Sequence, residues 1–366
     1  MKKPLLWLLV LMVSLSMIAG FSLAGCKTTA AAETTATTST VAEETKAAEE
    51  TTGVVASERK TSYNFIFVNN MTTLAFFRPD AEGVNMAIAD IKSWTGDVVN
   101  VELVGPAEND KMKEVEAMEA AISKKPDGFI VIPWDPNMMV APINKATDAG
   151  IPVIAVDADC PNSNRLMFIG QDWNLCGKTL AKELAKLMGE KGKVAMLGLL
   201  GQDDMETAFA AFKKEIATYP NMEVVALEED KGDMETAASV ASTLMQKNPD
   251  LGGFVGFDAG SAPGIAAALR EAGKVGEIKL VGNNITVPIL QSLADGAQQF
   301  ATGQKRQFYG YYGTLYLWLY LNTSVRFTSD DVKAGIKRLP DILLTGNILA
   351  NDSNKDLLME AFKKFE

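Results

Sequence analysis

From Tyr63 onward the chain alternates short apolar runs with longer amphipathic stretches. Runs that read as strands begin near Tyr63 (Phe65-Ile66-Phe67-Val68), Val98, Gly128 (Phe129-Ile130-Val131-Ile132) and Ile151. A second series begins near Lys193, Met222, Leu251 and Glu277. Within each series the spacing is roughly 25 to 35 residues, the length of a strand–helix unit. Several runs are apolar on consecutive residues, as strands covered by helices on both faces should be. Between them apolar side chains recur with helical period. Met112, Val115, Met118 and Ile122 form one stripe, and Met205, Phe209, Phe212 and Ile216 another, both read as core. The pattern predicts an α/β protein of two similar doubly wound lobes, each around a mostly parallel sheet.

The first 61 residues break this rhythm. Lys2 and Lys3 precede an apolar run from Leu5 to about Ile18, followed by Leu23-Ala24-Gly25-Cys26. A plain secretory signal ends on small residues and needs no cysteine. This stretch resembles a bacterial lipoprotein signal, with residues 1–25 removed and Cys26 carrying the lipid. The apolar run is short for a membrane span, and no later stretch approaches ~20 apolar residues. Residues 26–61 are rich in Thr, Ala and Glu and contain no aromatic residue. Such a segment cannot bury enough apolar surface to offset its ordering entropy, so it is expected to be a disordered tether with a reach of roughly 30–35 Å.

Charge and composition narrow the function. Loss of residues 1–25 removes two lysines and no acid, moving the formal charge from −11 to −13. That balance argues against nucleic acid, whose binding rests on Lys and Arg neutralising phosphate, and against an anionic membrane surface. The chain has no histidine, which removes the commonest general base and nitrogen metal ligand together. Cys160 and Cys176 remain after Cys26, and outside the cytoplasm two thiols could pair. No Gly-x-Gly-x-x-Gly follows the first strand, and neither a phosphate-loop lysine motif nor Gly-x-Ser-x-Gly occurs. Acid pairs could support glycoside hydrolysis, but nothing selects one. The expectation is a binding protein without catalytic activity, cofactor or metal.

Open parallel sheets bind ligands beyond the carboxyl ends of their strands. After the first strand come Asn69, Asn70 and Phe76-Phe77; the third leads into Pro133-Trp134-Asp135 and the fourth into Asp157-Ala158-Asp159. In the second series the equivalents are Gly201–Asp204, Phe257-Asp258 and Asn283-Asn284. Rings for apolar C–H faces, with carboxylates and amides for hydroxyls, are what a sugar requires. Asp203, Asp204 and Glu206 would either reach the ligand or cap their helix. Lys305 and Arg306 read as surface charges.

Several segments, in this order and spacing, resemble the ribose/galactose-type periplasmic sugar-binding proteins, the capture subunits of ABC importers. They are Phe76-Phe77, Glu108-Asn109-Asp110, Pro126-Asp127-Gly128, Pro133-Trp134-Asp135-Pro136, Ala149 through Asp157, Pro161-Asn162-Ser163 and Ile169-Gly170-Gln171-Asp172. The resemblance runs from about Tyr63 to Tyr320 and more weakly beyond. It implies a ligand cleft between lobes joined by three crossings, near Gly170-Gln171, Thr302–Lys305 and Leu344–Gly346. The N-terminal lobe would comprise 62–170 and 304–344, and the C-terminal lobe 171–303 and 345–366. Phe76 and Phe77 would stack on the sugar, Asp157 would accept from its hydroxyls, and Asn284 and Gln304 would complete the set. Trp173 stands where the family usually has an asparagine. Trp134, Asp159 and Asp258 are further ligand candidates.

The departures matter too. Ala158 and Glu206 occupy positions where ribose-type sites carry arginine, so ribose is not transferred as the ligand. A hexose, pentose, polyol or amino-bearing sugar stays open, as does a nucleoside or signalling molecule. The resemblance further implies a monomer outside the cytoplasm, held to the membrane by the Cys26 lipid alone. Its partner would be an ABC permease, or alternatively a chemoreceptor or sensor kinase.

Overall fold

The computed structural model describes residues 59–365 apart from residue 332; the expected leader, Cys26 and the tether up to residue 58 lie outside the described residues. The strands in chain order are β1 (Ser62–Val68), β2 (Val98–Val104), β3 (Gly128–Val131), β4 (Val153–Val156), β5 (Met167–Gly170), β6 (Lys191–Gly198), β7 (Asn221–Glu229), β8 (Leu251–Gly256), β9 (Lys279–Asn283), β10 (Phe300–Gln304), β11 (Ile342–Leu344) and β12 (Asn347–Asn351). They form two six-stranded sheets, ordered β11-β5-β4-β3-β1-β2 and β12-β10-β9-β8-β6-β7. Neighbouring strands are parallel except for β10 with β12. The two orders are the same pattern, so every strand of one sheet has a counterpart in the other.

Helices α1 (Arg78–Thr95), α2 (Lys111–Ile122) and α3 (Pro136–Asp148) belong to the first lobe. Helices α4 (Trp173–Met188), α5 (Asp203–Ile216), α6 (Met234–Lys247), α7 (Ser261–Glu271) and α8 (Val287–Ala294) belong to the second. Helix α9 (Gln307–Asn322) returns to the first sheet, and α10 (Lys355–Phe362) packs on α8. Layers on both faces explain why β3 and β4 are apolar and buried at every position. Aspartates start four of these helices: Asp110, Asp135, Asp172 and Asp233 each accept from a first-turn backbone N–H. Left-handed Gly96 and Gly189 end α1 and α4.

All eight runs predicted as strands are strands. β5, β10, β11 and β12 were not among them. β5 and β10 are short and lead into Gly170-Gln171 and Gly303-Gln304, and β11 and β12 are edge strands with partly exposed side chains. The α5 stripe is buried throughout, whereas α2 departs from expectation. Met118 is fully buried but Met112, in the first turn, is 57% exposed.

The two thiols do not pair. Cys160 sits in the first lobe against the Pro136 carbonyl, and Cys176 in the second beside Asn283 and Thr302. Burial pushes both thiols up, Cys176 to about 12, away from the thiolate form.

The chain crosses between lobes three times: from β5 into α4 at Gln171-Asp172, from β10 into α9 at Lys305-Arg306, and from β11 into β12 at Thr345-Gly346. The first and third crossings are tied together, because Thr345 N donates to Gly170 O over 2.9 Å. The second delivers α9 onto α1 at very close range. A Cβ on Gly310 would lie 1.9 Å from the Asp80 carbonyl oxygen, and one on Gly83 would lie 1.8 Å from that of Gln307. Gly310→Ala must force the helices apart and is expected to lower stability by about 1–3 kcal/mol or more. Urea denaturation checks this; an unchanged midpoint would refute the close contact.

Candidate ligand-binding cleft

A cavity of about 670 Å³ opens where the carboxyl ends of the two sheets face each other. Its walls come from corresponding positions. Asp157 follows β4 and Asn284 follows β9, and both carry a positive φ, 68° and 79°. Asp and Asn tolerate the left-handed region better than bulkier side chains, and the turn points each side chain off its strand end. Trp134 stands beyond β3 and Asp258 beyond β8, while Gln171 follows β5 and Gln304 ends β10.

The cavity brings together Phe76, Trp134, Asp157, Asp159, Trp173, Asp258, Asn284 and Gln304. Phe77 is not in its wall. It lies underneath, 5% exposed, edge-on to Phe76 at 5.3 Å and to Trp134 at 6.4 Å between centroids. Asn70 is also elsewhere, bracing Asn109 and the backbone N–H of Asp110. Asp159 reaches the wall with both oxygens engaged by Arg165. Asp135 and Asp172 line the cavity while capping α3 and α4. Asp204 is in the wall; Glu206 is not, and its carboxylate accepts from Gly201 N.

Arg306 is the chief correction to the sequence reading. It is 4% exposed rather than a surface charge. Its Nη1 donates to Asp157 Oδ2 at 2.8 Å and Gln304 Oε1 at 2.6 Å, and its Nη2 to Asp80 Oδ2 at 2.6 Å. The guanidinium packs 4.4 Å from the Phe76 centroid, 4.6 Å from Phe77 and 5.3 Å from Tyr309. Burial works against its charge, but Asp157 and Asp80 outweigh that and hold it protonated. Burial likewise pushes Asp80 up, to about 7, against the pull of Arg306. In the second lobe burial raises Asp258, with Asp230 adding to the effect.

Four buried polar atoms in the cavity-lining side chains have no hydrogen-bond partner among the described residues: Gln171 Nε2 and Oε1, Trp173 Nε1 and Asn284 Oδ1. Buried polar groups are nearly always bonded, so such a concentration asks for a partner of matching chemistry. Gln171 lies in a segment that carries the family resemblance but is not among the ligand candidates read from the sequence. The signal was there, since β5 and β10 run into Gly170-Gln171 and Gly303-Gln304 at corresponding ends. Among the described residues no group of His, Cys, Asp and Glu could hold a metal ion, and no helix is long and apolar enough to cross a membrane.

Trp134 is supported from below by Glu114. This side chain is fully buried, accepts from Trp134 N at 3.5 Å, and has one oxygen without a partner. Burial raises its carboxyl from 4.5 to about 8. Between those values the folded chain keeps a proton that the unfolded chain has lost, so this group's contribution to stability falls as pH rises and levels off above about 8. Glu114→Gln should therefore gain on the parent by up to a few kcal/mol between pH 5 and pH 8.5. Denaturation at both pH values reads the difference; an equal effect at the two would contradict it.

Residues 65–323 match the family model of the periplasmic binding protein domain. The xylose/arabinose-binding protein XylF of Sulfolobus acidocaldarius is 26% identical over 306 residues, covering 79% of this chain and 74% of that protein. The D-apiose import binding protein of Actinobacillus succinogenes is 26% identical over 239 residues, 61% of this chain and 75% of its own length. A sugar-binding protein of a Bacillus halodurans sugar ABC transporter superposes with a TM-score of 0.74 at 26% identity, covering 82% of this chain and 100% of that one. An ABC transporter solute-binding protein from Agrobacterium vitis, bound with α-D-tagatopyranose, gives 0.69 at 29% identity, with 84% and 99% covered. The match spans most of the folded body, and the paired sheets and their facing ends are shared with solute-binding proteins of transporters. The chain belongs to the periplasmic binding protein domain family.

Proposed function

We propose that this protein captures a monosaccharide or related polyol by closure of its lobes and delivers it to the permease of an ABC importer. The observation that carries this reading is the set of unpartnered polar atoms on Gln171, Trp173 and Asn284, gathered with the rings of Phe76, Trp134 and Trp173 around one cleft. Amides and an indole N–H match hydroxyls, which both donate and accept, and the rings match apolar C–H faces. Asp157, Gln304, Asp258 and Asn284 are assigned as hydroxyl partners, with Phe76 as a stacking ring. Phe77 acts beneath it, and Asp159 shapes the rim through Arg165. The sugar-binding relatives and neighbours support the ligand class.

The lobes hinge about the three crossings, so that sugar bound to one lobe is covered by the other. The closed pair then presents a joint surface to the permease. The protein works without catalysis, as a monomer outside the cytoplasm, and a lipid on Cys26 keeps it beside the membrane.

A thermal-shift panel of D-xylose, L-arabinose, D-ribose, D-allose, D-tagatose and xylitol tests the proposal. A sugar at a hundredfold excess over its Kd should stabilise by roughly 2.7 kcal/mol. Silence from all six, with no compaction in solution scattering, would refute it. Asp157→Ala is expected to weaken the best panel sugar roughly tenfold or more while the protein stays folded. Trp173→Phe keeps an aromatic face, though a smaller one, and removes the N–H, so titration calorimetry should show a loss of about three- to tenfold or more.

A further inference from the structure

We infer that Arg306 is a positioning residue that sets which groups on the cleft floor donate and which accept, and hence which sugar hydroxyl is read there. This deepens the sugar-capture reading and rests on it. The guanidinium has donors only. Whatever faces it must therefore accept, and Nη1 is shared between Asp157 Oδ2 and Gln304 Oε1, at 2.8 and 2.6 Å. The Gln304 amide is thereby oriented: its oxygen is taken, and its NH₂ is the group left for the cavity. Asp157 is left with Oδ1. Neither Gln304 Nε2 nor Asp157 Oδ1 has a bonding partner among the described residues, and both side chains line the cavity.

The floor thus offers one fixed donor beside one fixed acceptor. A hydroxyl that accepts from Gln304 and donates to Asp157 satisfies both. A hydrogen in its place satisfies neither, and a fluorine can only accept. Free rotation of an unheld glutamine would blur that distinction, because either end of the amide could turn to the ligand.

Arg306 is itself held firmly enough for this task. Asp80 on α1 takes its Nη2 at 2.6 Å, and Phe76, Phe77 and Tyr309 confine its plane. Lysine cannot replace it, since a single ammonium lacks the planar fork that reaches Asp80 on one side and the Asp157–Gln304 pair on the other.

The test uses the panel sugar that stabilises the wild-type protein most, with its monodeoxy and monodeoxyfluoro analogues, titrated against wild type and Arg306→Lys. One deoxy analogue should bind wild type about thirtyfold more weakly than the parent sugar, and Arg306→Lys should cut that discrimination to about threefold. It does so by weakening the parent about tenfold while leaving the analogue nearly unchanged. Equal weakening of parent and analogue, or no change in either, overturns the inference. If Arg306→Lys does not fold, the double variant Asp80→Asn with Arg306→Met removes the buried charge together with its α1 partner and carries the same comparison.

A sugar-free measurement separates this inference from the wider reading. The Gln304 side-chain amide, assigned by its loss in Gln304→Glu, should give a proton pair displaced from free-glutamine shifts in wild-type NMR spectra and moved toward them in Arg306→Lys. A pair at free-glutamine shifts in the wild type, or one unmoved by Arg306→Lys, overturns the positioning role. Failure of all six sugars to bind, with the amide still held, overturns sugar capture instead.

Discussion

A sheet covered by helices on both faces has almost no place for a polar side chain except where its strands stop. β3 and β4 are buried along their whole length, and unpaired polar groups there would cost several kcal/mol each. Parallel strands all stop on the same side, so polar residues excluded from the sheet collect along one edge. Two sheets with the same strand order, joined by three crossings, turn those edges toward each other. The cleft chemistry depends on this exclusion. Asp157, Asn284, Asp258, Gln171 and Gln304 each stand at or within two residues of a strand end.

The lobes resemble each other in order but not in charge. The floor of the first lobe holds a buried cation between two carboxylates, an arrangement whose desolvation cost is offset only by close pairing and further hydrogen bonds. Arg306 makes three such bonds and packs against three rings. It stands at the second crossing and is anchored to α1, so the same residue links that crossing, a helix and the strand end bearing Asp157. The second lobe contributes Asp258 and Asn284 without a comparable cation. In both lobes burial pushes carboxyls toward the protonated form, Asp80 in the first and Asp230 and Asp258 in the second. One wall is built around a buried cation shared by two carboxyl groups; the other is polar and acidic.

Much of this was legible beforehand. The consecutive apolar runs gave eight strands because burial on both faces leaves a mark in composition. Phe76, Trp134, Asp157, Asp258 and Asn284 stood out because rings, acids and amides are conspicuous directly after such runs. The misses have equally plain causes. β10 ends Thr302-Gly303-Gln304 and β11 lies exposed at an edge, so neither writes a strong apolar signal. Met112 keeps helical period yet lies in the first turn of α2, beyond the neighbours that cover Met118. Asp110, Asp135 and Asp172 were visible as acids, but their capping of helices became plain only with the backbone in place.

The sequence by itself determined the two-lobed α/β architecture and the kind of side chain at each strand end, because both follow from local periodicity. It could not assign Arg306 or Gln171. The second of two basic residues between glutamines looks solvated along the chain, and only the docking of α9 on α1 surrounds Arg306 with Asp80, Asp157 and three rings. Gln171 acquires meaning only beside its counterpart Gln304 in the opposite sheet. Partners more than a hundred residues apart carry no local signature, so the tertiary structure alone decided which polar groups are spent on one another and which remain for a ligand.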